Sequence, residues 1–208
     1  MKLVLFVEGH TEKKALPDFL KRWLDPQLPH PIGIAIVRFE GWHDYVDDIV
    51  KKVALHLSGK TGADKVGAIG LLDLYGPTFY PAHTTSVADR YQWAKADLEK
   101  KVDHPRFRQH FAVHETEAWL LSQPGLLPSA VHAALPGRCA QPETVNFNEP
   151  PAKLLDRLYR EKQRTGYKKV TDGANLFRKL DPRAAGSKCP YLQRLLDDML
   201  ALAREGTP

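Results

Sequence analysis

Short apolar runs alternate with longer amphipathic stretches along the first two-thirds of the chain. Leu3–Val7 (LVLFV) is apolar throughout, the pattern of a strand covered on both faces. Thr11–Trp23 places Ala15, Phe19, Leu20 and Trp23 on one helical face, with Thr11 as candidate N-cap and Pro17 as an interior residue expected to kink it. Ile32–Phe39 (IGIAIVRF) predicts a second buried strand. Tyr45–Leu57 predicts a helix, apolar at Val46, Ile49, Val50, Val53 and Leu57. Lys65–Leu72 predicts a third strand that ends on Asp73. After a Pro/Gly loop, Ser86–Val102 reads as a helix, Phe107–Val113 as a fourth strand, and Glu115–Ser122 opens a further helix. Strand and helix in strict alternation predict an α/β fold: a mostly parallel four-stranded sheet flanked by helices.

Beyond this the pattern changes. Residues 135–151 are rich in Pro, Gly and Asn, and helix-like segments follow near 151–163, 171–180 and 188–204. The division expected is an α/β domain over 1–134 and a basic helical C-terminal extension over 135–208, packed on it. There are no repeats and no low-complexity tract. Of the net charge of +5, the segment Lys153–Lys188 alone carries +7, with eleven Lys/Arg against four Asp/Glu. A basic stretch beside a more acidic remainder fits a surface that meets phosphates next to a catalytic or cation-binding half, though solvated helix faces produce the same count. No apolar stretch approaches the ~20 residues of a bilayer span. Lys2 is followed by only five apolar residues before Glu8, which is no signal peptide, so a cytoplasmic location and no membrane partner are expected. Two cysteines, Cys139 and Cys189, are too few for a Cys-ligated metal and are expected as free thiols.

The candidate chemistry lies at the strand ends. In open α/β sheets ligands gather beyond the carboxyl ends of the strands, and three of the predicted ends carry acids. The first delivers Glu8, followed by Gly9, which lets the backbone turn, and His10. The third delivers Asp73, and the fourth His114 and Glu115 with Glu117 close behind. Carboxylates gathered on one rim repel unless a cation or shared protons compensate. Oxygen-only ligands of this kind suit a hard divalent ion, Mg2+ or Mn2+. Each acid also has an ordinary reading: Glu8 as a loop residue, Asp73 as a turn cap, Glu115 and Glu117 as acids favoured at a helix start. His114 could orient a carboxylate, act as a base or bind the metal, and His10 shares those roles; either could equally be a plain hydrogen-bonder. Lys153, Lys168 and Lys169 are candidate phosphate binders, positioned after Pro150-Pro151 and Gly166-Tyr167.

VEGHTE at 7–12, with an acid ending the third strand, resembles the TOPRIM fold of topoisomerases, primases and OLD-type nucleases. In that fold a Glu after strand one and an Asp-x-Asp after strand three hold Mg2+. LLDLYGPTFYP (71–81), HETEAWLL (114–121), PPAKLL (150–155), YKKVTDG (167–173) and CPYL (189–192) are similar to a bacterial TOPRIM-like family of unknown function, often encoded beside an AAA/ABC-type ATPase. The resemblance covers nearly the whole chain. It implies a TOPRIM-like (Rossmann-like) fold and a metal set of Glu8, Asp73, Glu115 and Glu117. Catalytic roles would fall to Glu8, Asp73, Glu115 and Lys153, and substrate contacts to Gly9, His10, Tyr75, His114, Lys168 and Lys169. One position departs from the wider group: Tyr75 stands where the second Asp of Asp-x-Asp would be. The function implied is a Mg2+-dependent phosphodiesterase, a nuclease of a phage-defence or mobile-element system. The alternative is a non-catalytic docking or regulatory partner of an AAA/ABC-type ATPase. Nucleic acid and that ATPase are the expected partners, and a homo-oligomer is left open.

Overall fold

The computed structural model describes residues 1–144 and 148–206. The sequence's apolar runs become four strands, β1 (Lys2–Val7), β2 (Gly33–Arg38), β3 (Lys65–Asp73) and β4 (Phe107–Ala112), all parallel in the order β2-β1-β3-β4. This is the expected four-stranded parallel sheet. Helices α1 (His10–Leu24), α2 (Trp42–Leu57) and the short α3 (Gly59–Gly62) connect the first three strands, and α4 (Val87–Val102) leads into β4. The rest of the chain supplies α5 (Glu117–Leu121), α6 (Ser129–Ala133), α7 (Pro151–Gln163), α8 (Ala174–Lys179), α9 (Pro182–Lys188) and α10 (Pro190–Glu205).

Period-two alternation in the strands divides the interior into two layers. Leu3, Leu5, Val7, Ile69 and Leu71 face a core shared with α1, α5, α7 and α10, whose members include Phe19, Trp119, Leu154 and Leu196. Val4, Phe6, Ala68, Leu72 and Phe111 face the other core, shared with Tyr45, Ile49 and Val53 of α2 and Tyr91 and Leu98 of α4. Each fully buried Leu or Phe contributes roughly 1.5–3 kcal/mol. Gly70 lets the second layer close tightly. Over it the Tyr45 hydroxyl donates to Gln109 Oε1 at 2.6 Å, and a Cβ at this glycine would collide with both groups.

Several boundaries differ from the sequence reading. Thr11 is not the cap of α1: Gly9 is, and Thr11 is buried inside the helix. Pro17 lies inside α1, which continues past it. Glu115 and Thr116 precede α5 rather than starting it, because both are drawn into bonds with other elements. The segment expected as one helix over 171–180 is a π-helical turn, Lys169–Gly173, followed by α8. That over 188–204 is preceded by a separate α9, since Pro190, lacking an N–H, starts a new helix at its first position.

Two polar links fasten α10. Glu143 accepts the N–H groups of Tyr191 and Leu192 at 2.8 and 3.1 Å. Buried His110 of β4 lies 2.9 Å from Asp198 Oδ2 through Nε2 and 2.9 Å from the Tyr91 hydroxyl through Nδ1. Burial lowers the pKa of His110 and keeps the ring neutral, and its second-largest influence, the Asp198 hydrogen bond, opposes this. A neutral ring satisfies both partners when Nε2–H donates to Asp198 and Nδ1 accepts from Tyr91. Cys139 and Cys189 are buried free thiols. No helix among the described residues is long and apolar enough to cross a membrane.

Candidate functional site

The sheet grows from β1 outward to β2 on one side and to β3 on the other, so a crevice opens beyond the carboxyl ends of β1 and β3. Glu8 and Asp73 stand at those two neighbouring ends. Glu8 Oε2 is buried without a hydrogen-bond partner among the described residues. Burial raises the Glu8 pKa, and the nearby Glu12 carboxylate adds to it. The backbone amide of Asp73, the Lys169 ammonium and the backbone amide of Trp42 at the start of α2 oppose the rise.

Gly9 serves this rim by its size. Its φ of −134° is ordinary extended backbone, so the turn does not require glycine. A Cβ there would lie 2.7 Å from Glu12 Oε2, and its absence gives the Glu12 carboxylate room in the crevice. Asp73 Oδ1 accepts the Thr116 N–H at 3.1 Å, and the Thr116 hydroxyl reaches Glu12 Oε1 at 3.4 Å. One threonine thus bridges acids from β3 and α1. Burial raises the Asp73 pKa well above the usual range and Glu12 raises it further, while Lys169 pulls it down.

The turn between β4 and α5 brings two more acids. Glu115 Oε2 accepts the Ala152 N–H at the start of α7 at 2.8 Å, and its Oε1 takes the Lys169 ammonium at 3.2 Å. Both oxygens of Glu115 are therefore engaged. Glu117, with a side chain 1% exposed, meets the same ammonium at 3.3 Å, and neither of its oxygens has a hydrogen bond among the described residues. Burial pushes its pKa up to about 7 against the pull of Lys169, with Glu115 and Glu12 adding to the rise. For Lys169 burial acts downward, yet Glu117, Asp73 and Glu115 outweigh it and hold the ammonium charged above the ordinary lysine range. The π-helical turn that carries Lys169 is closed by the Lys168 carbonyl, which accepts the N–H groups of Thr171 and Asp172. Beside it the Tyr167 hydroxyl is buried without a partner among the described residues, and its pKa is raised by burial and then by Glu117.

The remaining candidates are distributed around this centre. Lys153 is exposed, with Nζ 3.5 Å from the Tyr75 hydroxyl and 5.7 Å from the Tyr75 ring centroid. It lines a cleft of about 540 Å3 with Glu115, Arg157, Arg160 and Lys169. The Lys168 side chain is exposed, and its backbone N–H donates to Asp172. His10 is exposed at the first turn of α1. His114 is buried and lines a different cavity, with Ser86, Glu143 and Tyr191. Burial lowers its pKa, offset in part by Glu115. Glu12, Thr116 and Tyr167 were not among the site residues expected from sequence. Glu12 had a visible signal, its place one helical turn after Glu8. Thr116 and Tyr167 had none beyond their neighbours in HETE and GYKK.

As placed, no group of three or more His, Cys, Asp or Glu side chains among the described residues is gathered to hold a metal ion. The donor chemistry nevertheless fits a hard cation. The acids are oxygen ligands, and Glu8 and Glu117 have oxygens without a hydrogen-bond partner among the described residues. Burial first, then neighbouring carboxylates, raise the pKa values of Glu8, Asp73 and Glu117, so their anionic forms would gain from a cation.

Residues 7–200 match the model of a family described as a domain of unknown function, DUF4276. Among solved structures, the chain is similar to the C-terminal region of the Burkholderia pseudomallei OLD protein. The TM-score is 0.46 and the identity 17%, over 96% of this chain and 98% of that one. No curated protein matches.

Proposed function

We propose that this chain, which belongs to the DUF4276 family, is a divalent-metal-dependent phosphodiesterase that cuts nucleic acid. The observation that carries the reading is that Glu8, Asp73 and Glu117 each feel both the Glu12 carboxylate and the Lys169 ammonium at the switch point of a parallel sheet, with oxygens of Glu8 and Glu117 lacking a hydrogen-bond partner among the described residues. The sequence resemblance to TOPRIM proteins supports it. Glu8 and Asp73, with Glu117 and Glu12 beside them, would hold Mg2+ or Mn2+. When bound, that ion supplies a Lewis acid that lowers the pKa of a water and bears negative charge from the phosphate. Glu115 fixes Lys169 and the start of α7 at once, so the ammonium enters the site on a set path and neutralises charge developing on a phosphoryl oxygen. Lys153, at the mouth of the cleft, attracts the flanking phosphates. Tyr75 presents its hydroxyl toward the same mouth.

The test is titration of Mg2+ and Mn2+ into the protein by calorimetry, beside a cleavage assay on single- and double-stranded DNA and RNA. Glu8→Gln and Asp73→Asn are each expected to lose the binding heat and to reduce cleavage by at least a hundredfold. Cleavage that survives both changes would sink the mechanism.

A second reading has one observation in its favour. Lys169 already serves Glu115 and Glu117 as an internal counter-ion, so the rim can fold with no metal. On this reading the chain is a docking or regulatory partner of an AAA/ABC-type ATPase in a defence or mobile-element system. The absence of any metal heat, together with a stable complex with such an ATPase, would favour it.

A further inference from the structure

Beside the acids lies a patch of rings that the chemistry above leaves unused. Trp42, at the start of α2, packs with Phe79 at a centroid distance of 5.7 Å. Phe79 stacks on Tyr80 at 4.8 Å and 28°, and meets Trp93 of α4 at 6.0 Å. All four rings are only partly buried, covering the edge of the second core while keeping surface exposed. Two links tie the patch to the acidic rim. The Tyr80 hydroxyl donates at 3.1 Å to the carbonyl of Leu74, the residue after Asp73. The backbone amide of Trp42 faces the Glu8 carboxylate, so the strand-end acid and the first ring of the patch share one short stretch of chain. Tyr80 also feels the charges of Glu8 and Asp73, which help raise its pKa after burial. Arg90 and His43 edge the patch. Arg90 places its guanidinium 5.5 Å from the Tyr80 ring centroid while donating to the Thr84 carbonyl, and His43 stacks on Trp42.

We infer that Trp42, Phe79, Tyr80 and Trp93 form a stacking ledge for an unpaired nucleobase, and that the substrate is therefore nucleic acid single-stranded at the cut. The inference rests on the phosphodiesterase reading for its substrate class. Aromatic faces bind every base by stacking, without selecting sequence. A base in a duplex is stacked on its neighbours and cannot offer its face. A ledge beside the acids would thus hold the nucleotide next to the scissile phosphate while Arg90 meets the backbone. A mere cover for the core needs hydrophobic area but not four partly exposed rings clustered beside the acids.

The test uses the full chain carrying Asp73→Asn, so that nothing is cut, and fluorescence anisotropy with labelled oligothymidylate of about ten nucleotides, within the usual site size. The comparison strand has the same length and phosphates but abasic sugars. The intact strand is expected to bind at least tenfold more tightly than the abasic strand and than a blunt duplex. Phe79→Ala and Trp42→Ala are each expected to weaken the intact strand about tenfold and the abasic strand little. Equal affinity for intact and abasic strands overturns the ledge, and because that comparison needs no change in the ledge, a variant that fails to fold does not rescue it. Binding to neither strand overturns it as well. The two readings fail separately. Base-dependent binding with no acid-dependent cleavage keeps the ledge and removes the nuclease; acid-dependent cleavage with equal abasic affinity does the reverse.

Discussion

Glu117 is buried against one ammonium, with neither oxygen hydrogen-bonded among the described residues, and so the folded chain holds its proton up to about pH 7. Its folded pKa lies above the ordinary value of 4.5, so between the two the folded state binds more protons than the unfolded state. The stability linked to that proton is present at low pH and is lost as pH rises through about 7. Glu117→Gln should therefore raise the melting temperature at about pH 8, by a free energy on the order of 1–3 kcal/mol, and change it little at about pH 5. A fall at the higher pH would show instead that the ion pair with Lys169 outweighs burial. At this scale legibility in the sequence was partial for a definite reason. Glu8 and Asp73 stood out because each interrupts an apolar run. Glu12 stood close behind Glu8, but its link to Asp73 through Thr116 is made by tertiary folding and leaves no periodic trace.

Elements were legible where burial alone sets their pattern. The four strands come from apolar runs, and their parallel pairing follows from the helices between them. The helical remainder was less legible because its boundaries are fixed by single polar bonds. Glu115 caps α7 from the β4–α5 turn, and Glu143 caps α10 from a 3-10 turn. Glu143→Ala should cost about 1–2 kcal/mol, the scale of a lost helix cap, read as a lower denaturation midpoint. The link from β4 to α10 gives a pH dependence of opposite sign. His110 has its pKa lowered by burial, so the unfolded chain binds its proton first as pH falls. Its contribution is full above the ordinary histidine range and disappears below it. Melting curves from about pH 8 to about pH 5 should show this acid loss in the parent chain and a shallower one in His110→Gln, which also loses roughly 1–3 kcal/mol at the upper end for its broken buried bonds. Equal acid slopes in the two proteins would remove His110 as the cause.

For the whole molecule, the uneven charge seen in the sequence takes on a geometry. Lys153, Arg157, Arg160 and Lys169 line one cleft, but Arg157 is paired with Glu149 and Glu161, and Arg160 with Asp156. Among the described residues Lys153 makes no ion pair and has the Tyr75 hydroxyl and ring beside it, which makes it the cation of this cleft most available to a phosphate. Lys153→Ala should weaken binding of nucleic acid evenly across sequences and lower the slope of log affinity against log salt by about one. An unchanged slope would place the backbone path elsewhere.

Because Glu8, Asp73 and Glu117 precede Lys169 by so much chain, order of synthesis matters. A nascent polypeptide displays the carboxylates while their ammonium partner is still inside the ribosome. Until the last third emerges, the rim can bury its charge only by taking up protons or a cation from solution. The sheet can therefore pair early, while the rim around Lys169 closes late.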